Sequence, residues 1–388
     1  MSLPEPVRPL AALGNASPEP AAPAKKSPAK PRASRRKPPP GQTARKIDLA
    51  LQGGGSHGAF TWGVLDALLE DGRLVPDGIS GTSAGAMNAA VLATGYAHGG
   101  ANGAREALRS FWQAVSGNRG CMGASTLPGS FQWPAWMFNP ALWPGYAGAQ
   151  AFLHLWSPAQ LNPLGLDPLR DIVARHVDFP AIQRGPVRVY ITATSVRTGQ
   201  PRIFKGAELG IEALMASACL PQTSRTVLVD GEPYWDGGFA GNPSLWPLIY
   251  GTVTSDLLLV QINPLVREGI PGTALEIQDR LNEITFNASL VAEMRAIAFV
   301  QRLVDERRVD LGRYKALRLH RVSDEAGLAQ FGAASKLNSD PRLLNLLCEL
   351  GRKAATGWLE NHLQDVGKRS SLDPHTAYLD KRNTREPG

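Results

Sequence analysis

The stretch of this sequence best suited to chemistry is Gly81-Thr82-Ser83-Ala84-Gly85. It lies between an apolar run ending Gly78-Ile79-Ser80 and a small-residue run from Ala84 to Ala93, which reads as a strand followed by a helix. A serine with a glycine two places away on each side, at such a junction, is a nucleophile-elbow pattern. The reason is steric. The serine must occupy a sharp, strained turn with its hydroxyl outward, and only glycine or a residue nearly as small fits the flanking positions. A chain with 40 glycines can produce the pattern by chance, so its context has to decide.

The context begins upstream. Lys46-Ile47-Asp48-Leu49-Ala50-Leu51 alternates as a first strand and runs into Gln52-Gly53-Gly54-Gly55-Ser56-His57-Gly58. Phe60, Val64, Ala67 and Leu68 then fall at helical spacing. A glycine loop opening a helix leaves backbone N–H groups free at the positive end of the helix dipole, which suits an anion. Gly53, Gly55 and Gly58 satisfy G-x-G-x-x-G, and a dinucleotide site would then place an acid about 20 residues on, at the end of the second strand. Asp71 and Asp77 fall before that strand, and its end is the Ser83 pentapeptide, so the nucleotide reading fails there. The competing reading is an oxyanion hole, in which backbone donors stabilise the negative oxygen of an acyl-transfer intermediate. Gly54 and Gly55 are the leading donors, joined by the N–H of Ala84 just after the serine.

Serine needs a base. Seven histidines (57, 98, 154, 176, 320, 362 and 375) lack motif context, and a Ser-Asp-His order would have to use His320 or a later one. Asp236 is the stronger candidate. It follows the aromatic strand end Tyr234-Trp235 and precedes Gly237-Gly238, which places it at a strand terminus.

Taken together, Gly53-Gly54-Gly55-x-x-Gly58, Gly81-Thr82-Ser83-Ala84-Gly85-Ala86-x-Asn88-Ala89, Ala216-Ser217-x-x-x-Pro221 and Asp236-Gly237-Gly238-x-x-x-Asn242 resemble the patatin-like phospholipases. The four motifs occur in that family's order over residues 47 to about 265. The resemblance implies an α/β fold, a three-layer α/β/α sandwich around a mainly parallel sheet. It implies hydrolysis of lipid carboxylic esters by a Ser83–Asp236 dyad, with the Gly53–Gly55 loop as oxyanion hole and with no catalytic histidine, metal or cofactor. His57, Gly58, Gly81, Gly85, Gly237 and Gly238 enter as supports of the motifs. His57 is a departure, since this loop in the family usually carries Arg or Lys. The corresponding expectation is that His57 supports the loop by hydrogen bonding rather than by charge. Phospholipase A or lysophospholipase action is the leading activity. Hydrolysis of neutral lipid or of a storage polyester is the alternative, and a fold kept for binding or regulation without chemistry is the reading from another class.

The elements that must position these residues follow from the rest of the chain. Helical stretches are expected at 84–97 and 101–116, strands at 187–194, 202–204 and 256–262, and a short helix at 211–218. Asp230-Gly231 between Val227-Leu228-Val229 and Glu232-Pro233-Tyr234-Trp235 is a hairpin signal. A long helix over 275–309 would carry Leu281, Ile284, Val291, Met294 and Ala298 on one side. An edge strand near 314–319, an amphipathic helix over 341–365 and a loose polar end after Lys368 complete the chain. Residues 117–166 are Trp-rich, with Trp133, Trp136, Trp143 and Trp156 among prolines and glycines. They read as an insertion, either packing an irregular subdomain or walling an acyl site. The expected organisation is a tail to residue 46, a catalytic domain over 47–320 including that insertion, and a helical extension over 321–388.

Charge is unevenly placed. Residues 1–46 hold ten Lys or Arg against Glu5 and Glu19, a surplus of eight that leaves the other 342 residues at −1. With eleven prolines and no aromatic residue, that segment cannot bury enough surface to fold, so it is expected to be a disordered basic tail. The near-neutral remainder gives no reason to expect specific nucleic-acid binding. The expected partners are a lipid or other acyl ester and, transiently, a membrane surface met through the tail or the Trp-rich stretch. Nothing in the sequence fixes an oligomeric state. Cys121, Cys219 and Cys348 are widely spaced and odd in number, which fits a reducing interior; the expected location is cytoplasmic, with the membrane contact just described making it peripheral to membrane. No apolar run is long enough to span a bilayer, and Pro9-Leu10-Ala11-Ala12-Leu13 is too short for the core of a secretory signal.

Overall fold

The computed structural model describes residues 44–117, 167–267, 269–309 and 314–379, all within one compact unit, Lys37–Gly388. The basic tail as far as residue 43 and the Trp-rich stretch from 118 to 166 lie outside the described residues.

β1 (Arg45–Leu51) is buried from Ile47 onward and leads through the glycine turn into α1 (Gly58–Asp71). β2 (Leu74–Thr82) ends at the elbow and feeds α2 (Ala84–Gly117), which is broken into two helices where Gly99 and Gly100 leave helical angles. Next come α3 (Pro168–His176), α4 (Phe179–Arg184), β3 (Arg188–Ser195) and β4 (Pro201–Lys205). α5 (Ile211–Ser217) precedes the hairpin of β5 (Val227–Val229) and β6 (Glu232–Asp236). Asp230 and Gly231 both take positive φ at its turn, as a two-residue hairpin loop requires. α6 (Trp246–Gly251), β7 (Asp256–Val260), α7 (Ala274–Asp305), β8 (Arg318–Val322), α8 (Glu325–Ala329) and α9 (Pro341–His362) follow.

Following the hydrogen-bonded pairs, the sheet runs β5-β6-β3-β2-β1-β7-β8, with β4 also on β3. Pairings among β3, β2, β1, β7 and β8 are parallel, while β4, β5 and β6 pair antiparallel. Parallel strands covered on both faces read as continuous apolar runs, which is why the fully buried β7 is so legible. One face carries the larger core, contributed by α1, α2, α5 and α9. The other is closed by α6 and α7, where Leu245 just before α6, Leu248, Leu290, Met294 and Ile297 meet Leu257, Leu259 and Leu319. The result is a three-layer α/β/α sandwich around a mainly parallel sheet.

Four expectations change. The inward stripe of α7 is Glu283, Asn287, Leu290, Met294 and Ile297, whereas Leu281 and Ile284 are about half exposed. In the first turns of α7 the inward positions belong to polar residues paired with the loop after β7, such as Glu283 with Arg267, so apolar spacing marks the wrong side. The edge strand lies three to four residues later than expected because buried His320 interrupts its apolar pattern. The segment after Lys368 is packed rather than loose. Ser371 and Leu372 donate backbone N–H groups to the Leu319 carbonyl, and the Tyr378 hydroxyl donates to Gln261 at 2.7 Å. β8 spans residues 318–322, across the expected boundary at 320.

α9 lies directly on α1. A Cβ on Gly351 would fall 2.0 Å from the Phe60 carbonyl oxygen, and one on Gly63 would fall 1.9 Å from that of Cys348. The two backbones touch, which fixes the helix that follows the glycine turn. Gly351→Val should therefore lower unfolding free energy in urea by about 2–3 kcal/mol. Gly357→Ala, in the same helix with open space around it, should cost nothing or add up to about 1 kcal/mol.

Candidate active site

Ser83 sits at φ 54, the left-handed region that a non-glycine residue enters only at a cost of about 1–3 kcal/mol. The surrounding backbone enforces it: a Cβ on Gly81 would fall 2.5 Å from the Gly85 carbonyl oxygen, and one on Gly85 2.2 Å from that of Leu51. The Ser83 N–H donates to Ser217 Oγ at 2.9 Å, and the Ser217 hydroxyl donates to the Thr192 carbonyl at 2.6 Å. Thr82 Oγ1 donates to the Gly241 carbonyl at 2.6 Å. The elbow is thus tied to α5, β3 and the loop after β6.

Asp236 reaches the same place through β3. Thr82 is registered with Thr192 and Asp236 with Ala193, one residue further along. β4 occupies the opposite edge of β3 at Ala193 and Thr194, so β6 takes the edge that β2 has just left. Asp236 is 1% exposed. Its N–H donates to the Cys219 carbonyl at 2.7 Å, and its carbonyl accepts from Thr194 Oγ1 at 2.8 Å. Oδ1 accepts the Gly238 N–H at 2.7 Å, across the tight turn that Gly237 and Gly238 make beside Thr192. Oδ2 is buried with no hydrogen-bond donor among the described residues. Burial raises the carboxyl to about 6, partly countered by the Gly238 N–H and the Ser83 hydroxyl. The hydroxyl is thus near enough to act on the carboxyl, although no hydrogen bond of good geometry joins the two side chains at rest. Such contacts commonly close only when substrate is bound.

The glycine turn is suspended from polar side chains. Gly53 N–H donates to Asn242 Oδ1 at 2.6 Å, and its carbonyl accepts from Asn263 Nδ2 at 2.8 Å. Gln52 Oε1 accepts from the backbone N–H groups of Ile262 and Asn263, both at 2.9 Å, while its Nε2 donates to Asn287 Oδ1 at 3.1 Å. Gly53, expected among the oxyanion donors, is therefore a strut, because its N–H is already committed. The N–H groups of Gly54, Gly55 and Ala84 have no acceptor among the described residues, and Ala84 opens a helix, where none is due. Asn88 Nδ2 donates to the Gly58 carbonyl at 3.0 Å, joining the elbow helix to the start of α1.

His57 is 3% exposed and lies 2.7 Å by Nε2 from Ser335 Oγ. The Ser335 hydroxyl donates to the Gly332 carbonyl, so the hydrogen-bond network assigns the ring proton to Nε2. Burial first, then the charges of Lys336 and Arg267, push the ring down to about 3, so it is neutral at any ordinary pH. The other described histidines are held elsewhere. Buried His320 bridges Asp256 and Ser371, and no hydrogen bond of His98, His176, His362 or His375 reaches Ser83 or Asp236. His154 lies outside the described residues. Among the described residues there is no group of three or more metal-ligating side chains, and no helix is long and apolar enough to cross a membrane.

In the sequence, Ser217, Asn242 and Gln52 stand within or beside motifs that give them no task, and no motif contains Asn263, Ser335 or Lys336. Gln52 could have been found as the last polar residue before the glycines, and Asn263 as the polar residue ending the β7 run. Nothing local marks Ser335 or Lys336.

A family model described as patatin-like phospholipase matches residues 49–249, just over half of the chain. With the sandwich and the serine elbow in place, the chain belongs to that family, and the activity class this supports is lipid hydrolysis. No curated protein matches the sequence. Among solved structures, VipD from Legionella pneumophila aligns over 87% of this chain and 73% of its own, at 12% identity and a TM-score of 0.37. ExoU from Pseudomonas aeruginosa, solved in complex with SpcU, aligns over 87% and 77%, at 15% identity and a TM-score of 0.26. At those distances neither adds detail to the site.

The electrostatics of the turn give a direct check. Followed by NMR, the His57 ring signals should stay at neutral-imidazole positions from pH 8 down to the acid limit of the fold. A midpoint near the ordinary value of about 6.5 would mean that the ring is solvated instead.

Proposed function

We propose that this protein is a serine hydrolase of lipid carboxylic esters, of phospholipase A or lysophospholipase type, working through Ser83 and Asp236. The observation that carries the reading is the buried Asp236 carboxylate, with Oδ2 lacking a donor, beside a serine held in a strained turn. Ser83 Oγ attacks the ester carbonyl as its proton passes to Asp236. The carbonyl π electrons move onto oxygen, and that oxygen faces the N–H groups of Gly54, Gly55 and Ala84 at the start of α2. Collapse of the intermediate expels the alcohol, which takes the proton back from Asp236. Water then attacks the acyl-serine with Asp236 again as base, releasing the fatty acid and restoring Ser83. No histidine is needed, because burial has already brought the carboxyl into a basic range useful near neutrality. The Ser335 segment that backs the glycine turn lies beyond β8 yet belongs to the same compact unit as the serine and the aspartate. Contact with a membrane surface is transient.

Ser83→Ala and Asp236→Asn should each lower kcat on a soluble short-chain ester by several orders of magnitude, since the two act as a unit. Retention of substantial activity in Asp236→Asn would return the role of base to a histidine. In the native protein kcat/KM should rise with pH through about 6, because Asp236 works only when ionised, and it should lose about tenfold per pH unit below that. The same shift has a stability consequence with a fixed sign. A carboxyl raised from 3.8 to about 6 favours the fold fully below about pH 4, and that contribution is lost as pH rises through 6. Asp236→Asn should therefore unfold at a higher temperature than the native protein at about pH 8, while being inactive. An Asn variant that is both inactive and less stable would contradict the burial argument.

A further inference from the structure

Behind the glycine turn lies a cation that the dyad does not use. The segment 332–338 crosses the back of the turn: the Lys336 carbonyl oxygen would fall 2.2 Å from a Cβ on Gly55, and Ser335 holds His57. Lys336 as a residue is partly exposed, yet its ammonium end is surrounded by protein. Its hydrogen bond goes to an amide oxygen rather than a carboxylate, Asn263 Oδ1 at 2.7 Å. The same Asn263 donates Nδ2–H to the Gly53 carbonyl at 2.8 Å. The Gly53 carbonyl and the Gly54 N–H are two ends of one peptide group.

We infer that Lys336 is a positioning residue for acyl transfer: its ammonium holds Asn263, Asn263 holds the Gly53–Gly54 peptide, and that peptide presents the Gly54 N–H to the reacting oxygen. The inference rests on the reading of Ser83 and Gly54 given above. Each bond in the series polarises the next in the same sense. A positive donor on the Asn263 oxygen makes its NH2 a better donor, and a better donor on the Gly53 oxygen makes the Gly54 N–H a better one. The effect grows as negative charge develops on the substrate oxygen, so it belongs to the transition state more than to substrate binding. His57 is neutral, so the positive charge linked to the Gly53 peptide comes from Lys336, 283 positions from Gly53 in sequence. Groups facing the ammonium are Arg267 in the loop after β7, Asp279 and Glu283 on α7, and His57 in the turn itself. Burial, the largest influence, and Arg267 lower the ammonium below the ordinary lysine range, with Glu283 and Asp279 opposing them.

The test compares Lys336→Met and Lys336→Arg with the native protein on a soluble nitrophenyl ester, with folding followed by circular dichroism. Lys336→Met should lower kcat about tenfold with KM within about a factor of two, less than the hundredfold or more for deleting an oxyanion donor. Lys336→Arg should recover most of the loss. Asn263→Leu combined with Lys336→Met should be no worse than Asn263→Leu alone, because both break one series. The native enzyme should also lose kcat on the alkaline side as Lys336 deprotonates, and in Lys336→Arg that limb should move upward. A folded Lys336→Met with native kcat, or additive losses in the double variant, would overturn the inference. If Lys336→Met does not fold, an alkaline limb unmoved in Lys336→Arg overturns it equally. Failure of the native protein to hydrolyse any ester would instead count against the Ser83 reading on which this rests.

Discussion

Between Thr192 and Ala193 one edge of β3 passes from a parallel neighbour to an antiparallel one. β2 ends there in the elbow, and β6 arrives there in Asp236. Two residues 153 positions apart meet because each terminates a strand on the same edge, one register step apart. The rest of the site depends on that exchange. Ser217 bonds both the Ser83 N–H and the Thr192 carbonyl, so α5 records where the edge lies. Gly237 has no room for a side chain because its Cα lies against the Thr192 carbonyl and the Thr82 methyl group. A site built on strand ends is rigid, and the proposed dyad, with no third member to orient its base, needs that rigidity.

A second constraint is the cost of keeping polar groups dry. Gln52, Asn242, Asn263 and Asn287 are all buried, and each would be strongly destabilising if left unpaired. They satisfy one another and the backbone around Gly53, which turns a flexible glycine run into a fixed frame. Asp236 Oδ2, like Thr192 Oγ1 and Ser244 Oγ, has no partner among the described residues, and for the carboxyl the chemical expression of that is a raised affinity for a proton. Burial acts in opposite senses on Asp236 and His57. It lifts the aspartate toward neutrality and removes the histidine from the physiological range altogether.

How much of this was legible in the sequence follows from range. The elbow, the glycine turn, the hairpin at Asp230-Gly231 and the apolar run of β7 are local patterns, each set by sterics or by burial over a few residues. They were readable, as were the helices that leave each turn. Register was not: nothing in the string says that Asp236 stands opposite Ala193 while β4 takes the other edge. The inward face of α7 misled because its first buried positions are Glu283 and Asn287, whose partners, Arg267 and Gln52, lie on other segments. The commitment of the Gly53 N–H to Asn242 spans 189 residues and the backing of His57 by Ser335 spans 278, so neither leaves a local trace.

In the proposed mechanism Ser83 is made nucleophilic by Asp236 inside this frame. The most direct test is to treat folded protein with a fluorophosphonate and map the adduct by peptide mass spectrometry. The native protein should carry a single stoichiometric adduct on Ser83, and labelling should slow by orders of magnitude in Asp236→Asn. No adduct on Ser83 in protein shown to be folded, or equal labelling rates in the two, would contradict that mechanism.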